Sequence, residues 1–499
     1  MSEKFFEAVS QILGQDAVDV SDAGRASYSS NRLPGGDRQT DGIVFPSSTE
    51  DVSTIVRLAA EHGVSLWPTS TGHNWGMGEF SAVREGQVVM HLGKRMNRIL
   101  EVDERLGYAV IEPGVTFRQL RAKMAELGDK FMISGTSGPP DGSIIGNALD
   151  RGAGYTPHFD HFGTLCGMEV VLPNGEIFHT GDGSLPNSNS RFTNKSGFGP
   201  LLDGIFTQSN FGIVTQTAVW LMPRPATILG FAFSFAEDED LSEIFEMVRP
   251  LKLNSVVPTL IKVTSGGYGF ATEDTYPYDR TNGQVPLPDD IRRELQEKHG
   301  TGAWLVSGAL YGPSEEALKP TLDRIRAVFE ASGKATYISH KEMLDNPIYK
   351  IHLDTYRGEP TDSEVDMLNW RPGGGATWFL PATPMIGEAA ELQHETSRRV
   401  LAEHGFEYFV EFVCSTRAAR GLHLIIFNRQ DPDEVARMNA AYAALVEAYD
   451  EIGYPIGRTP TDWQERAMAR LPVLQQVTHQ IKAALDPKGT IAPGKYGIS

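Results

Sequence analysis

The chain has 499 residues, of which 40% are hydrophobic, 22% charged and 9% aromatic. This composition predicts a globular protein with a large core and excludes a disordered chain. Lys and Arg number 45 against 64 Asp and Glu, a formal net charge of −19, so the chain would repel phosphate backbones and anionic lipid surfaces.

Cysteine use and the N-terminal sequence indicate an unexported protein. Cys166 and Cys414 lie far apart and form no C-x-x-C pattern, which predicts no disulfide framework. The chain begins with acidic residues where an export signal needs a basic region. No stretch approaches the ~18 consecutive apolar residues of a membrane span. We therefore expect a cytoplasmic protein without a nucleic-acid or membrane partner.

The first part of the chain has the pattern of a ligand-binding α/β domain. From Ser47 to Met222, short apolar runs alternate with helical stretches, and glycine is frequent. One unit is clear: Ser48 begins a predicted helix with an apolar stripe, and Gly63 ends it. A strand-like run from Val64 follows and leads into a glycine-rich loop.

The pattern changes near Arg224. Residues 225–456 give four long helical patterns between β-rich runs, which predicts a separate α/β cap domain. Residues 457–499 contain another amphipathic helix and end in a loop rich in Gly and Pro. We expect this tail to return to the first domain, so the predicted domains are 1–224, 225–456 and 457–499.

Four glycine-containing segments of the first domain stand out. Pro68 to Gly78 follows a strand, and its glycines and small hydroxyl residues would let backbone N–H groups converge on an anion. This loop matches neither a Walker loop nor a Rossmann motif, and alone it equally fits a tight surface turn. The other three segments are Glu112–Thr116, Gly146–Pro157 and Phe206–Thr215.

Together these segments resemble the flavoprotein family of vanillyl-alcohol oxidase and p-cresol methylhydroxylase. The resemblance runs from Pro46 to Gly497 and includes the tail Ile491–Lys495. It implies an α+β fold with a two-lobe FAD-binding architecture and an α/β cap domain built on an antiparallel sheet. It also implies the residues that bind FAD, which are Ser70, Thr71, Gly72, His73, Asn74, Gly76, Met77, Pro113, Gly114, Gly146, Asn147, Gly152, Gly154, Tyr155, Gly212, Ile213, Val214 and Lys495.

His73 bears on how FAD is attached. Members close to the two name enzymes tend to carry Lys or Arg here and bond flavin through a Tyr or His of the cap. Leu368 and Ala376 occupy those cap positions, and neither can form the bond. More distant relatives bond the flavin 8α-methyl carbon through the His of a Gly-Gly-His loop, which Gly72 and His73 match. We expect covalent FAD through His73; the alternative is noncovalent FAD with His73 as a hydrogen-bonding residue of the loop.

The resemblance implies a phenolic substrate. In this family a para-substituted phenol is bound as phenolate by two Tyr and one Arg, and it loses a benzylic hydride to give a p-quinone methide. Arg458 matches the Arg, whereas Met77 and Gly457 occupy the Tyr positions. Each lost hydrogen bond to a charged group removes about 1.5–3 kcal/mol of stabilisation, and Gly457 leaves space. We therefore expect a bulkier aromatic compound or a differently placed anion.

Glu364 and Glu411 match acidic positions of the p-cresol methylhydroxylase active site. A buried carboxylate near flavin could accept the proton of water that adds to a quinone methide. Alternatively, each is a salt-bridged residue of the wall. His158 and His161 have no third ligand at a useful spacing, so we expect no metal site.

The implied function is therefore FAD-dependent oxidation of a phenolic compound at a benzylic or allylic carbon. Two alternatives are an alcohol or sugar oxidase that acts on a carbinol carbon and a flavin-binding protein whose active site has decayed. We expect a homodimer. The expected electron acceptor is either oxygen or a separate cytochrome.

Overall fold

The computed structural model describes residues 2–499. Within them, the strands form a four-stranded sheet, a five-stranded sheet, an eight-stranded sheet and one two-stranded pair. None of the helices in these residues combines the length and the apolar character needed to cross a bilayer.

The smaller sheets come from the first part of the chain. The four-stranded sheet has the order β1-β2-β4-β3 and contains parallel pairs, the five-stranded sheet is antiparallel in the order β5-β6-β10-β8-β9, and β7 pairs with β11. Their strands are β1 (Val18–Asp19), β2 (Ile43–Val44), β3 (Leu66–Thr69), β4 (Val88–His91), β5 (Ile99–Asp103), β6 (Tyr108–Ile111), β7 (Phe131–Met132), β8 (Leu165–Val171), β9 (Ile177–His179), β10 (Ile213–Trp220) and β11 (Met222–Pro223).

The eight-stranded sheet, here called the cap sheet, has the order β15-β12-β14-β13-β17-β18-β16-β19, and its neighbouring strands pair antiparallel. Its strands are β12 (Thr227–Phe235), β13 (Ile261–Ser265), β14 (Trp304–Gly312), β15 (Thr336–Ile338), β16 (Gly375–Pro384), β17 (Phe409–Cys414), β18 (Ala418–Phe427) and β19 (Ile456–Arg458). The domain limits at residues 224 and 457 stay predictions.

Helices pack around these sheets. The helix predicted after Ser48 is confirmed: the Ser48 hydroxyl accepts the Asp51 N–H at 3.1 Å, and Gly63 ends the helix with a φ of 65°. The α-helices are α1 (Ser2–Leu13), α2 (Asp22–Ser29), α3 (Thr49–His62), α4 (Phe117–Glu126), α5 (Ile144–Leu149), α6 (His161–Thr164), α7 (Leu241–Leu253), α8 (Gly266–Phe270), α9 (Tyr278–Thr281), α10 (Asp289–His299), α11 (Glu315–Glu330), α12 (His340–Asp345), α13 (Pro347–Arg357), α14 (Gly387–Glu403), α15 (Pro432–Glu451), α16 (Gln464–Ala469) and α17 (Pro472–Leu485).

The C-terminal tail lies against β3, beside the glycine-rich loop. The Leu66 N–H donates to the Thr490 carbonyl at 2.8 Å, and the Ala492 N–H donates to the Leu66 carbonyl at 2.7 Å. The buried ammonium group of Lys482 donates to the Asn210 carbonyl at 2.9 Å and so ties α17 to the loop that precedes β10. These contacts bring the end of the chain to the loops that the sequence assigns to FAD.

Candidate active site

A cavity of about 510 Å³ lies between the glycine-containing loops and the cap sheet. Its volume is within the range typical of small-molecule and cofactor sites. Of the eighteen residues predicted to bind FAD, all except Gly76 and Gly114 line it. Those two glycines permit close packing: a Cβ on Gly76 would lie 2.9 Å from the Trp378 ring, and one on Gly114 would lie 2.5 Å from the Gly93 Cα.

The loop after β3 has the chemistry of a site for a polar ligand. Thr69 Oγ1, His73 Nδ1 and Asn74 Oδ1 are buried and have no hydrogen-bond partner within residues 2–499. Gly72 has a φ of 70°, a conformation that lets consecutive backbone N–H groups face one ligand. Lys495 of the tail lines the same cavity and adds a positive charge. These features fit the hydrogen-bonding groups and the anionic pyrophosphate of FAD.

Arg458 lies in β19, at the edge of the cap sheet, where it pairs with Leu380 of β16. Its Nη2 is 3.3 Å from Asp150 Oδ2, and its Nε is buried without a partner in the described residues. Asp150 also accepts the Tyr496 hydroxyl at 3.1 Å. Arg458 is thus held in place by one carboxylate and retains donor groups for another anion.

Met77 and Gly457, at the two positions where the family carries Tyr, differ in their surroundings. Met77 is buried and lines the cavity. A Cβ on Gly457 would have the Leu380 carbonyl oxygen, at 3.8 Å, as its nearest neighbour, so there is open space at this position. Arg420 of β18 also lines the cavity, and burial followed by the charges of Arg458 and Arg151 lowers the pKa of its guanidinium. Gly457 is exposed and does not line the cavity, so the cavity wall itself has two guanidinium groups here, those of Arg458 and Arg420.

Five polar side chains form one connected cluster in the cap wall, here called the Lys262 cluster. Lys262 Nζ is 3.2 Å from Glu364 Oε2 and 3.3 Å from Glu411 Oε2, and the lysine side chain is 0% exposed. The Tyr268 hydroxyl donates to Glu364 Oε1 at 2.8 Å, and the Tyr155 hydroxyl donates to Glu411 Oε1 at 2.9 Å.

Strand register brings the centre of this cluster together. Thr264 of β13 lies directly opposite Glu411 of β17, which makes Lys262 a diagonal neighbour of Glu411 on the same face. The Thr264 hydroxyl donates to Glu411 Oε2 at 3.1 Å. The Leu260 N–H donates to the Tyr155 carbonyl at 3.0 Å and so fastens a loop of the first part of the chain to the cap.

The members of the Lys262 cluster differ in their access to the cavity. Tyr155, Tyr268 and Glu364 line it, whereas Lys262 and Glu411 lie behind them. Burial raises the pKa of Glu411 to about 7, a rise that Lys262 opposes and Glu364 reinforces. Glu411 can therefore gain or lose a proton near neutral pH, and Glu364 is the carboxylate that a bound molecule can reach.

Sequence analysis located both glutamates but missed Lys262 and Tyr268. The ion pairs to Lys262 also agree with the alternative that the glutamates are salt-bridged wall residues. The sequence feature that could have revealed Lys262 is a lysine within the apolar run that forms β13.

His161 has a structural partner. Its Nδ1 lies 2.7 Å from Asn147 Oδ1, and burial lowers the pKa of His161 to about 4, so the ring is neutral near pH 7. His161 thereby orients Asn147, which lines the cavity. Residues 2–499 contain no group of three or more His, Cys, Asp or Glu side chains arranged to hold a metal ion.

Comparison with known proteins agrees with this site. The family model described as an FAD binding domain matches residues 40–181. Over 490 residues the chain is 34% identical to the 4-cresol dehydrogenase (hydroxylating) flavoprotein subunit of Pseudomonas putida, covering 98% of this chain and 94% of that protein. The chain belongs to the vanillyl-alcohol oxidase and p-cresol methylhydroxylase family of flavoproteins.

Two solved structures have closely similar folds. The crystal structure of p-cresol methylhydroxylase with substrate bound matches with a TM-score of 0.95 and 33% identity, covering 100% of this chain and 97% of that chain. The isoeugenol complex of 4-ethylphenol oxidase from Gulosibacter chungangensis matches with a TM-score of 0.95 and 31% identity. The match covers 99% of this chain and 97% of that chain. The predicted fold class and the predicted FAD are confirmed, and the protein is a flavin-dependent oxidase or dehydrogenase.

The glycine-rich loop yields a first prediction, that Gly72→Ala loses most of its bound FAD. An added Cβ would lie 2.3 Å from the Phe80 ring on a residue with a φ of 70°, so the loop must move. The ratio of flavin to protein absorbance after purification measures this loss. Gly128→Ala is the control, because Gly128 has a similar φ of 76° but nothing within 4 Å of the added Cβ. Equal FAD content in the two variants would contradict the assignment of this loop to FAD.

Proposed function

We propose that the protein removes a hydride from the benzylic or allylic carbon of a para-substituted phenol, or of a related bulkier aromatic compound, to form a quinone methide. FAD, when bound, supplies the hydride acceptor. The observation that carries this proposal is Arg458, which lines the cavity with an unpartnered, buried Nε in the described residues.

Arg458 is proposed to bind the phenolate oxygen. An arginine stays charged at every working pH, so it can stabilise the anion without titrating. Asp150 fixes the orientation of the guanidinium at 3.3 Å. The second guanidinium of Arg420 supports a substrate whose anion is placed differently from that of a simple cresol. A bulkier aromatic substrate is proposed from the sequence, which has Gly457 where the family carries Tyr.

Glu364 and Glu411 are proposed to accept the proton of water that adds to the quinone methide. Glu364 lines the cavity and can meet that water, and Glu411 is the partner whose proton exchanges near neutral pH. The names of the relatives, a 4-cresol dehydrogenase (hydroxylating) subunit and a 4-ethylphenol oxidase, support an alkylphenol as the starting compound.

His73 is proposed to attach FAD covalently. Its Nδ1 is buried in the FAD loop and has no partner in residues 2–499, so this nitrogen is available for a bond to the flavin 8α-methyl carbon. Leu368 and Ala376, at the two cap positions used by close relatives, offer no nucleophile.

The acceptor of the electrons is proposed to be oxygen or a separate cytochrome. One relative is named as the flavoprotein subunit of a dehydrogenase and another as an oxidase, so the relatives leave both classes open. The homodimer and the cytoplasmic location stay predictions.

The proposed function predicts that a panel of 4-alkylphenols bleaches the flavin under anaerobic conditions and gives transient quinone-methide absorbance. Stopped-flow spectra of the holoenzyme measure both signals. Bleaching by alcohols or sugars without quinone-methide absorbance would instead indicate a carbinol oxidase. Absence of bleaching by every compound would indicate a decayed site.

Covalent attachment predicts that acid-precipitated protein stays yellow and that His73→Ala releases its FAD, because the variant lacks the bonding nitrogen. Peptide mass spectrometry locates the flavin. His62→Ala, at the C-terminal turn of α3, is the control and should retain it. Free flavin from the wild-type protein, or flavin on another peptide, would overturn the assignment.

Arg458→Ala is expected to slow flavin reduction by the best phenol at least a hundredfold, about 2.7 kcal/mol of transition-state stabilisation. Arg458→Lys should recover only part of the rate because it loses the planar guanidinium. Arg466→Ala is the control, since Arg466 lies over the Trp463 ring and outside the cavity. Near-normal reduction in Arg458→Ala would show that the substrate charge is bound elsewhere.

A further inference from the structure

The charges of the Lys262 cluster are unusual for a buried site. Two carboxylates, Glu364 and Glu411, face one ammonium group at 3.2 and 3.3 Å. Lys262 also donates to the Ser137 hydroxyl at 2.9 Å and lies 4.0 Å from the centre of the Tyr155 ring. The ammonium group thus donates to Glu364 and Ser137, which line the cavity, and forms an ion pair with Glu411.

The other titratable groups around the glutamates are neutral near pH 7. Burial raises the pKa values of the surrounding tyrosines and of Cys414, and burial together with Lys262 lowers the pKa of His352. These neutral neighbours are Tyr155, Tyr268, Tyr356, His352 and Cys414. The electrostatics of this region therefore depend on Lys262 and the two glutamates.

The ion pairs with Lys262 lower the proton affinity of the two carboxylates. A pair of buried carboxylates without a cation would hold protons tightly, because both desolvation and mutual repulsion favour their neutral forms. A cation within ion-pair distance of both favours their charged forms. The ammonium of Lys262 therefore raises the share of free carboxylate at a given pH.

We propose that Lys262 is a positioning residue whose charge keeps a carboxylate of the Glu364 and Glu411 pair free at neutral pH, so that the pair accepts the proton of the water that adds to the substrate. This inference rests on the proposed function. Lys262 acts through the glutamates and does not touch the substrate, because it lies behind Glu364 and Tyr155.

The water oxygen forms a bond to the benzylic carbon of the quinone methide, and one O–H bond of the water breaks. Its proton moves to Glu364, the carboxylate that lines the cavity. The electron pair of the exocyclic C=C bond moves into the ring and restores the phenolate, which Arg458 binds.

A titration of the substrate-free holoenzyme by infrared spectroscopy tests the charge effect directly. We expect a carboxyl signal with a midpoint at about 7 that disappears in Glu411→Gln. Lys262→Met should raise this midpoint by at least about one pH unit, a tenfold gain in proton affinity. Lys262→Gln keeps hydrogen-bond donors without the charge and should behave like Lys262→Met. Lys252→Met, which removes a buried lysine bonded to the Val257 carbonyl at 3.0 Å, should leave the midpoint unchanged.

Two results of this titration would overturn the proposal. One is an unchanged midpoint in both Lys262 variants, and the other is a wild-type midpoint restored by Lys262→Gln, which would assign Lys262 a hydrogen-bonding role. Should the Lys262 variants fail to fold, the wild-type protein still decides: carboxyl signals of Glu364 and Glu411, identified by their loss in Glu364→Gln and Glu411→Gln, that both stay protonated at neutral pH would contradict the proposal.

Stopped-flow measurements with a 4-alkylphenol test the consequence for the reaction. In Lys262→Met the decay of quinone-methide absorbance should slow at least about fivefold more than flavin reduction at neutral pH, because the share of free carboxylate falls by that factor, and raising the pH by about one unit should restore it. If the quinone-methide absorbance of Lys262→Met decayed with the same pH profile as in the wild-type protein, this role would be refuted. Failure of every phenol to bleach the flavin would contradict the proposed function. The substrate-free titration tests the effect of Lys262 on the glutamates independently of that function.

Discussion

The ammonium of Lys262 forms ion pairs with two carboxylates, Glu364 on the cavity side and Glu411 behind it. Moving three charged groups out of water is costly, and their mutual attraction offsets that cost only when the geometry and the remaining hydrogen bonds are good. Here Tyr268 and Tyr155 each donate to one carboxylate. The cluster joins β13, β17, α8, the 3-10 helix Ser363–Asn369 and the loop at Tyr155, so it also fixes the shape of the wall.

The same cavity contains a second charged region of opposite character. Arg458 and Arg420 line it, and the carboxylate paired with Arg458 belongs to Asp150. A substrate with an anionic oxygen is attracted to the arginines and kept from the glutamates. For the proposed phenolate substrate, the two regions favour one orientation, with the oxygen at Arg458 and the reacting carbon nearer Glu364.

Much of this site could be predicted from the sequence because its parts lie in local motifs. The glycine loops, His73, Arg458 and Glu364 stand in short segments that resemble those of the family, and the structure brings them to one cavity. The resemblance to the family implied a cap built on an antiparallel sheet, and the eight-stranded sheet confirms it.

The parts of the site that could not be predicted from the sequence depend on contacts between distant segments of the chain. In β13, Lys262 and Thr264 alternate with buried Ile261 and Val263, a pattern typical of a strand with one solvent-facing side. The polar side is instead covered by other parts of the chain, a fact that periodicity alone cannot reveal. The pairing of Arg458 with Asp150 likewise joins residues 308 positions apart.

A crystal structure of the holoenzyme with a bound, slowly reacting 4-alkylphenol would show whether Arg458 and the Lys262 cluster orient the substrate. We expect the phenol oxygen within hydrogen-bond distance of the Arg458 guanidinium and the benzylic carbon on the side of Glu364, with Lys262 still paired with both glutamates. A phenol oxygen bound by Glu364 or Tyr155, with the alkyl group at Arg458, would contradict this expectation.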